Sequence, residues 1–376
     1  MNILFPVAYL YPSENGGPAL SLYWLTKELV KINHNVTIVT TSKFTNNKIK
    51  PNRWLNTDYG RVIYLKVYNP LISIRYIYFT IREILKNDVV IITSLFAFPN
   101  FIFILYCVIM NKEIIISPRG EADPQALIYN RNFKIFILFF YNLLPTKRVL
   151  FHVTSFQERN YLLSVLKKKY RIEIIPNFLE LPVLRDFGDI PKDYFLFVGR
   201  FHRKKAIENL IEALSKSNLF LESNFCLKLV GDYRNSYGEY IRDLVLRLSL
   251  ENKIEFVGEL FGEDKEAIYA NAFCTIVPSH TENFCNVVIE SLSQNTPVIA
   301  SKGTPWAILN EMKIGYWVDN SSDSLAKTID SFLLLNVDDY NLMRISSRKF
   351  IELNYDICKG VYIWNRVLSE FKYQSV

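Results

Sequence analysis

Short runs of β-branched and aromatic residues alternate with helix-length amphipathic stretches along almost the whole chain. This alternation limits the fold more than any other feature. The runs predict strands at Asn2–Ala8, Val36–Thr40, Val62–Val67, Val89–Thr93, Ile114–Ser117 and Val149–Thr154. A second series is expected at Tyr194–Val198, Cys226–Val230, Ile254–Val257, Cys274–Val277, Pro297–Ala300 and Tyr316–Val318. Strands separated by helical crossovers pair in parallel, with helices on both faces of the sheet. Two such series in 376 residues imply an α/β protein of two doubly wound domains. The expected division is 1–180 and 181–355, with Ile175–Lys192, which carries Pro176, Pro182 and Pro191, as the linker. A helix at 356–376 is expected to pack back onto the first domain.

Half the residues are apolar, enough for two cores and incompatible with a disordered chain. Charge is uneven. Residues 1–180 carry 22 basic and 11 acidic side chains, a net +11, whereas the remainder is −4. An anionic partner or membrane surface for the first half is one reading, ordinary solvated lysines the other. Lys167-Lys168-Lys169 with Arg171 is the candidate membrane contact. The five scattered cysteines lack any Cys-x-x-Cys, and the four histidines are isolated. Both patterns suit reduced thiols in the cytoplasm and predict neither a disulfide framework nor a metal site.

The N-terminus lacks a basic region and a small-residue cleavage site, so no signal peptide is expected. Val89–Met110 is uncharged for 22 residues, long enough to span a bilayer. The β-branched VVIITS, the Pro99-Asn100 break and the following IIIS parse better as strand, helix, strand. For this helix and for Ile135–Leu144, core packing is the expectation and lipid contact the alternative.

In open parallel sheets ligands bind beyond the carboxyl ends of strands, and with two facing domains the cleft is the default site. Three such loops stand out. After the first strand, Gly16 and Gly17 open a helix, allowing close backbone approach and free N–H groups for a phosphate. The loop is neither G-x-G-x-x-G nor G-x-x-x-x-G-K-[ST], so dinucleotide and P-loop readings lose ground. After Tyr194–Val198 comes Gly199-Arg200-Phe-His-Arg-Lys-Lys205, either a diphosphate-neutralising loop or a solvated basic one. After Cys274–Val277 comes Thr281–Leu292, with Glu282 in the loop and Glu290 on the helix. Carboxylates accept hydrogen bonds from sugar hydroxyls, while the helix-opening amides of Asn283–Asn286 favour phosphate. A nucleotide sugar carries both groups; a surface Glu before a helix and another within it is the plainer alternative.

Gly199-Arg200 with Lys205, Val230-Gly231, Val257-Gly258, Pro278-Ser279, Glu282 to Glu290 and Thr296–Ala300 resemble, in order and spacing, the C-terminal half of retaining glycosyltransferases of family four. The first half is similar through Gly16-Gly17, Ile116–Gly120 and His152–Ser155 with Glu158. The SPRG loop and Gly303–Trp306 look like the branch that makes bacterial surface polysaccharides. The resemblance implies the GT-B architecture, two facing Rossmann-like domains. It implies that Arg200 and Lys205 hold the donor diphosphate and that Glu290 binds the ribose. Glu282 would contact the transferred sugar, with Asn283 and the amides of Phe284, Cys285 and Asn286 nearby. Gly16, Gly17 and Gly199 would approach the phosphates, and Gly258 would lie near the base.

Several positions depart from the family pattern. Asn283, Cys285 and Ala206 stand where glycine is usual, Arg119 where many members have a catalytic His, and Trp306 where a Glu is common. Arg119 is expected to substitute for that His or to serve the acceptor. The implied reaction is anomer-retaining transfer, without metal or cofactor, from a UDP- or GDP-sugar to a lipid-linked or oligosaccharide acceptor at the inner face of the cytoplasmic membrane. A nucleotide-sugar epimerase and a non-catalytic sugar-nucleotide-binding partner are the alternatives. A dehydrogenase lacks its fingerprint, and nucleic-acid binding lacks a recognised module.

Overall fold

The computed structural model describes residues 1–13, 17–45, 49–184 and 193–373, apart from the side chains of 372 and 373. It divides into two compact units, Met1–Glu180 with Ile357–Val376, and Leu181–Asp356.

The first unit is built on eight strands: β1 (Asn2–Pro6), β2 (Asn35–Thr41), β3 (Trp54–Thr57), β4 (Gly60–Leu65), β5 (Val89–Thr93), β6 (Glu113–Ser117), β7 (Val149–Val153) and β8 (Arg171–Ile174). Their order is β3-β4-β2-β1-β5-β6-β7-β8, parallel except for β3, which pairs antiparallel with β4. Side chains on successive strand residues point to opposite faces, and each face has its own core. Ile3, Phe5, Val89, Ile91 and Ile115 pack on one side with Leu22 and Leu25 of helix Gly17–Lys31 and Trp364 of helix Ile357–Tyr373. Leu4, Val90, Ile92, Ile114 and Ile116 pack on the other with Tyr76, Phe103 and Ile137.

The second unit has six parallel strands: β9 (Tyr194–Val198), β10 (Cys226–Val230), β11 (Ile254–Gly258), β12 (Cys274–Val277), β13 (Val298–Ser301) and β14 (Gly315–Val318). They are ordered β11-β10-β9-β12-β13-β14. Phe195, Phe197, Leu227 and Leu229 meet helices Ile207–Lys216, Ser236–Arg247 and Ser322–Leu333 on one face. Both sheets are doubly wound, as the alternation of runs requires.

The sequence pattern misses two strands. β3 is a four-residue edge strand without a β-branched run, and β8 reads Arg-Ile-Glu-Ile, half of it charged. The stretch expected as linker also behaves otherwise at its start. The Ile175 N–H donates to Val153 O at 2.9 Å, Ile175, Phe178 and Leu179 are buried, and the Ile357 N–H donates to Leu179 O at 3.0 Å.

Val89–Met110 forms β5 and helix Phe98–Ile109, and among the described residues no helix is long and apolar enough to cross a membrane. Core packing of Ile135–Leu144 holds on one side only. Ile137, Tyr141 and Leu144 are buried, but Ile135, Phe136, Phe139 and Leu143 face solvent.

Candidate functional site

In the second sheet the chain runs from β9 outward through β10 to β11, then returns to lay β12 against the other side of β9. The loops leaving β9 and β12 therefore diverge at a topological switch point, where an open parallel sheet leaves room for a ligand. Lys205 lies in the first of these loops and Glu282 in the second. Lys205 Nζ pairs with Glu282 Oε1 at 2.5 Å, and Ser279 Oγ donates to the same oxygen at 2.7 Å. Burial alone would push the Lys205 pKa down, but the Glu282 charge and hydrogen bond outweigh it and the net shift is upward; nearby Arg200 opposes the rise. Arg200 itself is exposed.

Backbone contacts hold the two loops together. The His280 N–H donates to Lys204 O at 2.9 Å and the Glu282 N–H to Gly303 O at 2.8 Å. A Cβ on Gly303 would sit 2.2 Å from His280 O and 2.5 Å from Ser279 O, so only glycine allows this approach. Gly231 is needed in the same way, since a Cβ there would meet Gly199 O at 2.0 Å. The Gly231 N–H donates to Gly258 O at 2.8 Å, and a Cβ built on Gly258 meets nothing within 4 Å.

Two of the departures from the family glycines adopt a backbone that glycine favours. Ala206 has φ 48° and precedes helix Ile207–Lys216; Cys285 has φ 71° and precedes helix Asn286–Ser293. These left-handed conformations turn each loop into its helix at a steric cost to a residue with a Cβ. The Cys285 side chain is buried, and burial, then the charge of Glu282, pushes its thiol pKa up; Lys205 opposes and Glu290 adds to the rise. Cys285 therefore lies within electrostatic reach of both acids, as a neutral thiol.

Glu290 projects from helix Asn286–Ser293 and is also engaged. Its Oε2 accepts from Tyr269 OH at 2.9 Å and pairs with Lys265 Nζ at 2.8 Å. Lys265 and Tyr269 lie four residues apart on helix Gly262–Ala270, so both reach the same carboxylate. The sequence reading did not single them out; the only signal was that spacing in the helix after β11. The Phe284 side chain is buried against Trp306 and Tyr355. Trp306 is buried too, and its Nε1–H donates to Phe284 O at 2.5 Å. Where the family often has an acid, this chain has a brace for the loop before the helix.

In the first unit Gly17 opens helix Gly17–Lys31 and its carbonyl accepts from Ser21 Oγ at 3.0 Å; Gly16 lies outside the described residues. Arg119 follows β6 with φ 55° and donates through Nη1 to Asn177 Oδ1 at 2.8 Å, while its buried Nε has no partner among the described residues. It lines a small depression with Ser21, His152, Asn177 and Trp364. Glu158 holds the turn in place. Its carboxylate accepts from the Gly120 N–H at 2.7 Å and from Thr154 N–H and Oγ1 at 2.7 and 2.9 Å. His152 lies 2.7 Å from Ser117 Oγ and 2.9 Å from Ile175 O, with Trp364 at 4.6 Å between ring centroids. Burial, then the charge of Arg119, lowers the His152 pKa to about 3, so the ring is neutral at ordinary pH.

Two doubly wound parallel sheets, one in each unit, make up the GT-B architecture. A crystal structure of Anabaena HepE in complex with UDP and glucose shares this fold with a TM-score of 0.78, at 16% identity, over 98% of this chain and all of that one. Residues 187–350, which lie within the second unit, match the family model of glycosyl transferases group 1. An uncharacterised glycosyltransferase of Methanocaldococcus jannaschii is 32% identical over 37% of this chain and 35% of its own length. The O-antigen chain mannosyltransferase B of Escherichia coli is 30% identical over 33% of this chain and 32% of its own. The matched stretch thus spans about a third of these curated relatives.

Proposed function

We propose that the chain transfers a sugar, with retention of anomeric configuration and without metal, from a UDP- or GDP-sugar to a hydroxyl of a lipid-linked or oligosaccharide acceptor in cell-surface polysaccharide assembly in the cytoplasm. The reading rests on the Lys205–Glu282–Ser279 cluster at the switch point of the second sheet, beside the opening of helix Asn286–Ser293. A cation and helix amides next to a carboxylate suit a ligand that is anionic at one end and hydroxylated at the other. Lys205 and Arg200 stabilise the departing diphosphate, and preorganised charge of this kind acts mainly in the transition state. Glu282 and Ser279 orient hydroxyls of the transferred sugar, and Glu290 those of the ribose. The acceptor oxygen attacks the anomeric carbon on the face the diphosphate leaves, and its proton passes to a diphosphate oxygen. Arg119 serves the acceptor side.

The surface-polysaccharide assignment draws support from the O-antigen relative and from the SPRG loop at Ser117–Gly120. The test is a panel of nucleotide sugars assayed first for thermal stabilisation and then for transfer, with the product anomer read by NMR. One donor should stabilise the chain and yield a product of unchanged configuration. Inversion at the anomeric carbon, or no stabilisation by any nucleoside diphosphate sugar, would overturn the proposal. Donor isomerised in the absence of acceptor would make the chain an epimerase instead.

A further inference from the structure

Helix Arg131–Tyr141 of the first unit is apolar on the side where a surface helix is normally polar. Its inward side supplies Ile137 and Tyr141 to the core. Its outward side carries Phe133, Ile135, Phe136 and Phe139 and continues to Leu143; Phe136 and Phe139 are each 61% exposed and Leu143 63%. Positions 136, 139 and 143 are spaced by three and four, so they form one stripe, with 135 beside it. Ridges of exposed large apolar side chains mark interaction surfaces, because leaving them in water is unfavourable.

The surroundings say what covers the stripe. Between residues 124 and 170 there are eight lysines and arginines and a single acid, Glu158, which is buried and committed to the Gly120 turn. The lysine triplet lies at the end of the stripe. The Lys167 and Lys168 N–H groups donate to Asn142 Oδ1 at 2.6 and 3.2 Å, and Lys168 Nζ donates to Leu144 O at 2.9 Å. Lys167 and Lys169 are exposed. Arg171, expected from the sequence to join this contact, is instead held by Glu173 at 2.7 Å and Glu370 at 2.8 Å. An apolar stripe flanked by unneutralised lysines fits one kind of partner, a lipid surface with anionic headgroups: the aromatic side chains enter the acyl boundary while the ammonium groups stay with the phosphates.

We propose that this face of the first unit seats the protein on an anionic bilayer, with Phe136, Phe139 and Leu143 inserted and Lys167 and Lys169 on the headgroups. The inference concerns only the first unit's surface and stands or falls independently of the transfer reaction. The full chain is to be sedimented with vesicles of phosphatidylcholine alone and with about 30% phosphatidylglycerol, at low and high salt. The wild type should bind the anionic vesicles, and high salt should release it through screening of the lysines. The double variant Phe136→Ser/Phe139→Ser should weaken binding about tenfold or more, and Lys167→Ala/Lys169→Ala by a similar factor. All four side chains are exposed, so both variants should melt as the wild type does. Wild-type protein that stays in the supernatant with anionic vesicles at low salt would overturn the proposal, and so would undiminished binding by Phe136→Ser/Phe139→Ser. A wild-type dimer on gel filtration that this variant converts to monomer would also overturn it, since a second copy would then be what covers the stripe.

Discussion

Lys205 and Glu282 lie 77 positions apart in sequence and meet at 2.5 Å. Each neutralises the other and both are largely withdrawn from solvent, so removing either leaves a charge poorly compensated. Under the proposed reaction Lys205→Met and Glu282→Gln should each lower kcat/KM for transfer by about a hundredfold or more, the scale on which one preorganised electrostatic group acts. Because the two act as a pair, the double variant should lose far less than the product of the single losses, and steady-state kinetics on the three variants checks this. His152 gives a second residue-level expectation. Its folded pKa, about 3, lies below its unfolded value, so the stability it contributes is complete above pH about 6.5 and is lost as pH falls from there toward 3. Each pH unit across that window should cost about 1.4 kcal/mol. Melting of wild type and His152→Gln between neutral and acid pH should show a steeper decline for the wild type; parallel curves would refute it.

At the scale of elements, the turn carrying Arg119 is held by its neighbour helix rather than by its own sequence. Ser155 caps helix Phe156–Val165, its Oγ accepting from the Glu158 N–H at 3.1 Å, and Glu158 then reaches back to Gly120 and Thr154. Ser155→Ala should cost about 1 kcal/mol, the usual value of such a cap. Glu158→Ala should cost more, about 2 kcal/mol, because hydrogen bonds to a charged acceptor are lost from a buried position. Urea unfolding followed through the first unit distinguishes the two. In the second unit the decisive element is the loop from β12. Gly303→Ala would drive a methyl group into two carbonyl oxygens at 2.2 and 2.5 Å and displace the backbone that holds Glu282. Under the proposed function, nucleotide-dependent thermal stabilisation should disappear in this variant while the far-UV circular dichroism is retained.

For the whole molecule, each unit has its own sheet and cores, but only the second is continuous in sequence. The first depends on helix Ile357–Tyr373, whose Ile357, Val361, Trp364, Val367, Leu368 and Phe371 are buried in the core that covers β1 and β5. Gly360 marks how close this helix lies, since a Cβ there would meet the Phe178 ring at 2.3 Å. Fully burying each such apolar side chain is worth about 1.5–3 kcal/mol, so six together rival the whole stability of a domain. A chain ending at Asp356 should therefore lose the cooperative transition of its first unit, whereas the fragment 181–356 should keep that of the second. Calorimetry on both fragments tests this, and a first unit that melts normally without the helix would contradict it.

The sequence by itself determined the class of fold and which loops leave the carboxyl ends of its strands. Strand-forming runs and glycine turns act over a few residues, so the strands other than β3 and β8, and the loops at Arg200, Lys205 and Glu282, could be read from the residues themselves. Tertiary structure decided what depends on residues distant along the chain. It brought Lys205 to Glu282 and set Lys265 and Tyr269 against Glu290. It spent Arg171 on Glu173 and Glu370, buried Trp306 as a brace for Phe284, and recruited β3 and β8 as edge strands. It also turned one side of helix Arg131–Tyr141 outward, because an apolar side chain is inside or outside according to what the rest of the chain places over it, and local pattern carries no record of that.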